Sequence, residues 1–450
     1  MRKWRTLISI QFNKQNKKNI NLITIKQTES NSLQFFDNLN MYELSLNYTE
    51  NISEVYERIG SIKLNKKDVV QFDLNYVRNK NNDSLIFIIE TIYKNYWNLY
   101  TKKTNQKNSD INIIFVSDDI DNYIDTIIQI NNLVKVVYES KNLADTDSYD
   151  DGTPIGFINK TKNLLDLKDK NVTVSILNND DIVKNNLNLI AAVGANSKNE
   201  SHLLELKYNN DSNNDYISLI GKGITFDAGG YALKSSESIR TMRLDKCGAA
   251  IVVGVFKYLV YTKAKINLVC VIPLSENILG KNSILPSQVI KSYSGKTVQI
   301  DNPDAEGRLV LADSMSYAQD KYKCKEIITI ATLTGSITIT LGKYMTGLFT
   351  NNYKLANNFK EIVDKTGDEV WLLPIHRENR KLVQGAELGD ITNSPIKSRH
   401  GSSSQAAAFL QEFVLPNTDF IHLDIAGTAV IDNRSSGVMV RGLISYLLKK

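Results

Sequence analysis

Ile217-Ser218-Leu219-Ile220-Gly221-Lys222-Gly223-Ile224-Thr225-Phe226-Asp227-Ala228-Gly229-Gly230 is the stretch on which the fold turns. Its apolar run, Ile217 to Phe226, reads as a buried strand. A lysine interrupts the run, and an aspartate and two glycines close it, so reactive groups stand at a strand's carboxyl end. Outward from it the same grammar repeats. Val172 to Leu177, Ile266 to Pro273, Ile327 to Leu333 and Phe420 to Ile425 have strand composition and length. Gly248 to Tyr261, Arg308 to Asp320, Leu355 to Lys365, Ala406 to Val414 and Gly437 to Leu448 read as helices. Strands alternating with helices predict an α/β/α domain, a mixed, largely parallel sheet between helices. In such folds ligands gather outside the carboxyl ends of the strands.

The amino-terminal part is a smaller α/β domain of different composition. Residues 1–200 hold 33 Asn and 4 Gly, whereas residues 201–450 hold 16 Asn and 19 Gly. Glycine collects where backbone turns tightly or approaches a ligand, so the chemistry belongs to the second part. Leu7 to Phe12, Leu22 to Lys26, Val69 to Leu74 and Ile111 to Ser117 read as strands. Ser84 to Tyr100 carries Leu85, Ile88, Ile89, Ile92, Tyr96 and Leu99 at helical spacing, and a second helix runs from Tyr123 to about Leu143. Asp145-Thr146-Asp147-Ser148-Tyr149-Asp150-Asp151-Gly152 is polar and turn-rich, the composition of a linker. The expected domains are therefore 1–145 and 146–450. Asn-rich stretches such as Asn79-Lys80-Asn81-Asn82 read as surface.

Composition removes several classes. An apolar fraction of 42% and a charged fraction of 23% are those of an ordinary globular chain. The longest apolar candidate, Ala249 to Tyr261, is broken by Lys257 and too short to span a bilayer, so no membrane partner is expected. The basic start Met1-Arg2-Lys3-Trp4-Arg5 precedes an apolar stretch too short for a signal-peptide core, which predicts a cytoplasmic protein. Cys247, Cys270 and Cys324 make no disulfide framework. A net charge of +5 without a basic run makes nucleic acid a weak expectation.

Three clusters carry the chemistry. Lys222, Asp227 and Lys234 surround the glycines of the first; Asp245 stands in the second, Met242-Arg243-Leu244-Asp245-Lys246-Cys247-Gly248, before a small-residue helix start. The third is Asp301-Asn302-Pro303-Asp304-Ala305-Glu306-Gly307-Arg308, in which Asp304 and Glu306, two apart, share a side of an extended loop. Asp227, Asp245, Asp304 and Glu306 are hard oxygen donors suited to one or two divalent cations. Taken singly, each acid has a structural reading: Asp245 as a helix N-cap, Glu306 as a first-turn acid. The phosphate-loop pattern, the nucleophile elbow and the His-Glu-x-x-His motif are all absent, and His202, His376, His400 and His422 are scattered.

Together the clusters resemble the leucyl aminopeptidase family, also called cytosol aminopeptidases, two-metal exopeptidases. The family signature Asn-Thr-Asp-Ala-Glu-Gly-Arg is matched by Asn302-Pro303-Asp304-Ala305-Glu306-Gly307-Arg308. The spacings fit too: 5 from Lys222 to Asp227, 7 to Lys234, 11 to Asp245 and 59 to Asp304. Ala331-Thr332-Leu333-Thr334-Gly335 and His422-Leu423-Asp424-Ile425-Ala426-Gly427-Thr428-Ala429 extend the match, which covers roughly residue 140 to the end. Pro303, Ala228, Lys246 and Arg434-Ser435-Ser436-Gly437 depart from the usual Thr, Ser, Met and Gly-Ala-Thr-Gly, and none removes a ligand. Lys246, as the neighbour of Asp245, is expected to point away from the cations.

The resemblance implies roles. Asp227 and Glu306 would bridge two metal ions, Mn²⁺ or Zn²⁺; Asp304 would complete the looser site, and Lys222 with Asp245 the tighter one. A water activated by the pair would attack the peptide carbonyl. Lys234 would stabilise the developing oxyanion, and Arg308 would hold a bicarbonate or water that relays the proton. Met242, Thr332, Gly335, Ala426 and Ala429 would line the pocket for the first side chain, favouring leucine-like residues. The substrates would be peptides with a free amino terminus, the assembly a homohexamer. An additional architectural DNA-binding role, known among relatives, is the alternative.

Overall fold

The computed structural model describes residues 8–14, 21–27, 33–36, 41–46, 69–75, 82–104, 111–212, 214–396 and 400–450. Residues 1–5, Leu7 and the Asn-rich positions 79–81 lie outside the described residues. The chain divides into two units, Met1–Tyr138 and Glu139–Lys450, and the helix Ile124–Ala144 runs through the division.

In the first unit, strands β1 (Ile8–Asn13), β2 (Asn21–Gln27), β3 (Leu33–Phe36), β4 (Met41–Leu46), β5 (Val69–Asp73) and β6 (Ile111–Val116) form one sheet. Its order is β1-β6-β5-β2-β4-β3, with every neighbouring pair parallel except β3 with β4. The sequence reading did not include β3 and β4; β3, with four residues, is too short for a periodicity to register. The helix Asn82–Tyr96 buries Leu85, Ile88, Ile89, Ile92 and Tyr96, the face its spacing predicted, and Leu99 lies beyond its end.

The second unit is built on nine strands. These are β7 (Val172–Leu177), β8 (His202–Asn209), β9 (Ile217–Gly221), β10 (Gly223–Asp227), β11 (Asn267–Asn277), β14 (Glu326–Ala331), β15 (Thr346–Thr350), β16 (Val370–Leu372) and β18 (Asp419–Asp424). Short strands β12 (Gln288–Lys291), β13 (Thr297–Ile300) and β17 (Ile391–Thr392) form a separate small sheet. The large sheet runs β16-β15-β18-β14-β9-β11-β8-β7, with β10 continuing beside β11. Its four central strands, β18, β14, β9 and β11, are mutually parallel, while β15, β8 and β7 add antiparallel pairings. The result is the mixed, largely parallel α/β sheet expected.

Alternation along β9 explains the layers. Ile220 joins a core with Leu309, Val310 and Ala312 of the helix Glu306–Tyr322. Gly221 faces the opposite helix, Cys247–Tyr261, so closely that a Cβ would lie 2.6 Å from the Gly248 carbonyl oxygen. Gly248 is pressed as tightly on the Ile330 carbonyl, so this glycine pair lets a helix lie on the backbone of the sheet. The strand read as Ile217 to Phe226 is in fact two strands broken at Lys222, whose N–H donates to Ile330 O at 3.0 Å while its carbonyl accepts from Ala249 N at 2.9 Å. That break puts a lysine where a ladder residue would stand.

The polar stretch read as a linker is packed at its start and exposed at Tyr149. Asp145 and Thr146 are both 2% exposed. Asp145 accepts from Ser435 N at 2.8 Å and from Arg434 Nη1 at 3.2 Å, and Thr146 O accepts from Lys246 Nζ at 3.0 Å. Asp145 is paired with the partly exposed Arg434, and composition alone does not reveal such a partner. Cys247, Cys270 and Cys324 are buried and free. Among the described residues no helix is long and apolar enough to cross a membrane.

Candidate metal centre and active site

The site forms where β9, β10, β11 and β14 end. Lys222 follows β9, Asp227 closes β10, and Glu306 opens the helix Glu306–Tyr322, so three chain segments converge without help from a loop of their own. Asp245 ends the short 3₁₀ turn Met242–Leu244, and the residue flanking the next helix is Lys246, so the N-cap reading of Asp245 does not hold. Its carboxylate turns inward to accept from Thr332 Oγ1 at 2.6 Å. Asp227, Asp245 and Glu306 are all buried and bring ligand oxygens within 4.8 Å of one another.

Two lysines organise the carboxylates. Lys222 Nζ lies 2.9 Å from Asp245 Oδ2, 2.9 Å from Glu306 Oε1, and 3.0 Å from Thr332 O. Room for it comes from Gly307, where a Cβ would fall 2.6 Å from Lys222 Cε. Lys234 Nζ lies 2.8 Å from Asp227 Oδ2 and also pairs with Asp304 Oδ1. Gly229 and Gly230, with φ of +89° and +57°, make the turn that carries the chain from Asp227 back toward Lys234. All five expected ligands and Lys234 thus share one cluster.

The electrostatics ask for more positive charge than the lysines supply. Burial, reinforced by the neighbouring Asp227 carboxylate, pushes Glu306 up to about 8 despite Lys222. Burial likewise raises Asp245 to about 6, and it raises Asp304 as well. Burial works to lower both lysines, yet the carboxylates around them win and both are raised. Glu306 Oε2, fully buried, has no hydrogen-bond partner among the described residues. An orphaned carboxylate oxygen among crowded acids is the donor set of a hard divalent cation, and the residues fit one. Asp227, Asp245, Asp304 and Glu306 with the Lys222 amine could hold it.

Arg308 stands in the first turn of the helix, buried, and burial lowers it to about 10. Its Nη1 donates to Asn393 O at 2.6 Å, and its Nε has no partner among the described residues. Lys246 is 0% exposed, its ammonium on the Thr146 and Arg243 carbonyls and away from the carboxylates, as expected. Thr332 and Ala426 follow the ends of β14 and β18, and Gly335 opens the helix Gly335–Leu341. Met242 opens the turn before Asp245 and Ala429 is buried, and no described contact brings either to these three.

Sequence reading missed two organisers. Asn277, at the end of β11, donates to Asp227 Oδ1 at 2.9 Å and to Pro303 O at 3.2 Å, tying two clusters together. Its signal was available: Ser275-Glu276-Asn277 is polar at the carboxyl end of an apolar strand. Asn393 accepts from Asp301 N and Asn302 N and donates to Asn302 O, bracing the loop before Glu306 from 91 residues away. Nothing local distinguishes it from other Asn residues in turns.

Residues 140–444 match the catalytic domain of the cytosol aminopeptidase family. The chain belongs to that family. Membership is membership in a class of metallo-aminopeptidase hydrolases. A "Probable cytosol aminopeptidase" of Clostridium tetani is 35% identical over 352 residues, which are 78% of this chain and 72% of that protein. One from Mycoplasma pneumoniae is 40% identical over 273 residues, 60% of this chain and 61% of the relative. One from Rickettsia canadensis is 38% identical over 275 residues, 61% of this chain and 55% of the relative. Against these last two, the matched chain spans less than two thirds of the relative. Among solved structures, the "Bottromycin maturation enzyme BotP" superposes with a TM-score of 0.82 at 20% identity, covering 96% of this chain and 99% of that one. A structure of it "in complex with Mn" gives 0.82 at 21%, covering 95% and 99%. At that identity the likeness speaks for the fold alone.

Proposed function

We propose that this chain is a two-metal aminopeptidase that releases N-terminal amino acids, leucine-like ones preferred, from peptides. The observation that carries the reading is the convergence of Asp227, Asp245, Asp304, Glu306 and Lys222 at the carboxyl ends of the central strands. Asp227 and Glu306 would be shared between two ions, Asp245 and Lys222 complete the inner site, and Asp304 the outer one. When bound, the ions supply a nucleophilic water and polarise the scissile carbonyl; the manganese complex of the BotP structure makes Mn²⁺ the first candidate beside Zn²⁺.

The chain's own groups do the rest. Lys234, partly exposed beside Asp304, donates from Nζ to the oxygen on which charge develops. Arg308, with an unpartnered Nε, holds a bicarbonate or water that passes the proton to the leaving amine. The inner acid Asp245 faces the free substrate amine, so a blocked terminus has no place to bind. Thr332, Gly335 and Ala426 hold the first side chain, with Met242 and Ala429 at the margins. Residues 146–450 carry the catalysis and residues 1–145 a separate domain, in a cytoplasmic homohexamer.

The test is hydrolysis of a leucyl amide by metal-stripped protein, then after adding back Mn²⁺, Zn²⁺ or Mg²⁺ singly. Activity should vanish on stripping and return with a cation, and an N-acetylated substrate should stay intact. Activity that survives complete stripping, or cleavage of the blocked substrate, would sink the proposal.

A further inference from the structure

Asp424 closes β18, with 1% of its surface exposed and no salt bridge among the described residues, though the Arg308 charge is near enough to feel it. A carboxylate so buried is costly unless its oxygens are saturated. Here they are. Oδ1 accepts from Leu333 N at 3.1 Å, Thr334 N at 3.4 Å and Ala426 N at 3.2 Å, and Oδ2 accepts from Thr334 Oγ1 at 2.6 Å. The first two donors sit on the loop that leaves β14, the third on the loop that leaves β18. One oxygen therefore pins two loops to each other at their roots.

Those loops carry Thr332, Gly335 and Ala426. The pin continues outward through hydroxyls: Thr334 Oγ1 lies 2.7 Å from Ser403 Oγ, and Ser403 Oγ lies 2.5 Å from Ser336 Oγ. Beneath, Ile337, Phe349 and Ala407 form a small apolar cluster against which Ala426 packs. Ile337 fits there because Gly347, the residue opposite Asp424 on β15, has no Cβ; one would fall 2.5 Å from Ile337 Cδ1. At its other end the loop is fastened to the carboxylate cluster, since Thr332 gives its hydroxyl to Asp245 and its carbonyl to Lys222.

We propose that Asp424 is a positioning residue that sets the width of the pocket for the substrate's first side chain, and with Thr334 determines the preference among apolar residues. This rests on the reading of Thr332, Gly335 and Ala426 as that pocket. The carboxylate touches neither the cation cluster nor the substrate; it acts through three N–H groups. Charge-assisted bonds of this kind are about twice as strong as neutral ones, so neutralising Asp424 loosens the pin without removing it. Hydroxyl groups both donate and accept, so the Thr334–Ser403–Ser336 chain can reverse to face an amide, and Asp424→Asn keeps a saturated, folded site.

The experiment compares kcat and KM of a leucyl and an alanyl amide for the wild type, Asp424→Asn, Thr334→Val and Thr334→Ser, beside metal content. In Asp424→Asn the leucyl-to-alanyl ratio of kcat/KM should fall about tenfold, the lower end of the roughly 10–200-fold that a pocket draws from a single methylene. The loss should lie in KM for the leucyl substrate, with kcat and metal content held. Thr334→Val should move the ratio the same way, and Thr334→Ser should restore it. Equal losses on both substrates, an unchanged ratio, or loss of metal would overturn the proposal. A wild type inactive on both amides would instead bring down the aminopeptidase reading, and this inference with it.

Discussion

Lys222 and Lys234 each hold two carboxylates, yet the two halves of the cluster they define are unlike. Around Lys222 everything is closed: its side chain is 4% exposed, and those of Asp245 and Glu306 are 6% and 1%. Around Lys234 the cluster opens, with 15% exposure for the lysine and 29% for Asp304. A cation in the closed half must shed its water and be satisfied by protein atoms, whereas one in the open half can keep water and meet a substrate. The difference separates holding from reacting. On the proposed reading, the inner lysine would be a ligand and the outer one would touch what is being cleaved.

The largest effect should come from an acid proposed to be shared by both ions. Glu306→Ala should abolish leucyl amide hydrolysis and lower metal content at both positions, whereas Asp304→Ala should chiefly empty the open one. Elemental analysis beside activity reads this. Two metals per subunit in Glu306→Ala would erase the distinction between shared and private ligands.

Next in size is Lys222→Arg, which keeps the charge but cannot offer a neutral amine near neutral pH. It should lose the inner metal and the activity. A wild-type inner site that includes this amine releases a proton on loading, so its affinity should weaken as pH falls. Retention of two metals and wild-type rates would make Lys222 a counter-ion and the two halves alike.

Smaller, and confined to the open half, is Lys234→Ala. Its kcat should drop by about 10²–10³, the usual cost of one oxyanion donor, with metal content and KM little changed. A large loss of metal would mean that the open half also uses its lysine as a ligand.

The smallest effect tests the buried surroundings rather than the cluster. His422 is 0% exposed, its Nδ1 2.8 Å from Thr329 Oγ1, and burial, aided by the Arg308 charge, lowers its pKa to about 3. Unfolded, it takes a proton near 6.5, so between those values the unfolded chain binds more protons. Its contribution to stability is present above about pH 6.5 and is lost as pH falls toward 3. The thermal midpoint of the wild type should therefore fall more between pH 7 and 4 than that of His422→Gln; equal falls would show that His422 titrates normally.

Much of this was legible in one dimension. The strand–helix alternation of the second unit, the ends of β7 and the helix Cys247–Tyr261, buried nearly all round, follow from residue type and period. Four acids and two lysines at strand ends pointed to a cation site because hard oxygens rarely cluster there otherwise. Elements without such a mark were missed: β15, with its glycine, and the helix Asn188–Gly194, whose N-terminal amides are capped by Asp313 from 124 residues away.

Sequence by itself determined which groups this protein can use, because a carboxylate or amine keeps its chemistry wherever the chain puts it. Tertiary structure alone decided what each group is for. Which lysine is sealed and which is open depends on Gly307 making room for one and on Asp304 lying at the surface beside the other. Asn393 and Asp424 join segments more than ninety residues apart, and nothing in their neighbours announces it. Burial and long-range hydrogen bonds are properties of neighbours in space, and the order of residues along a chain does not contain them until it folds.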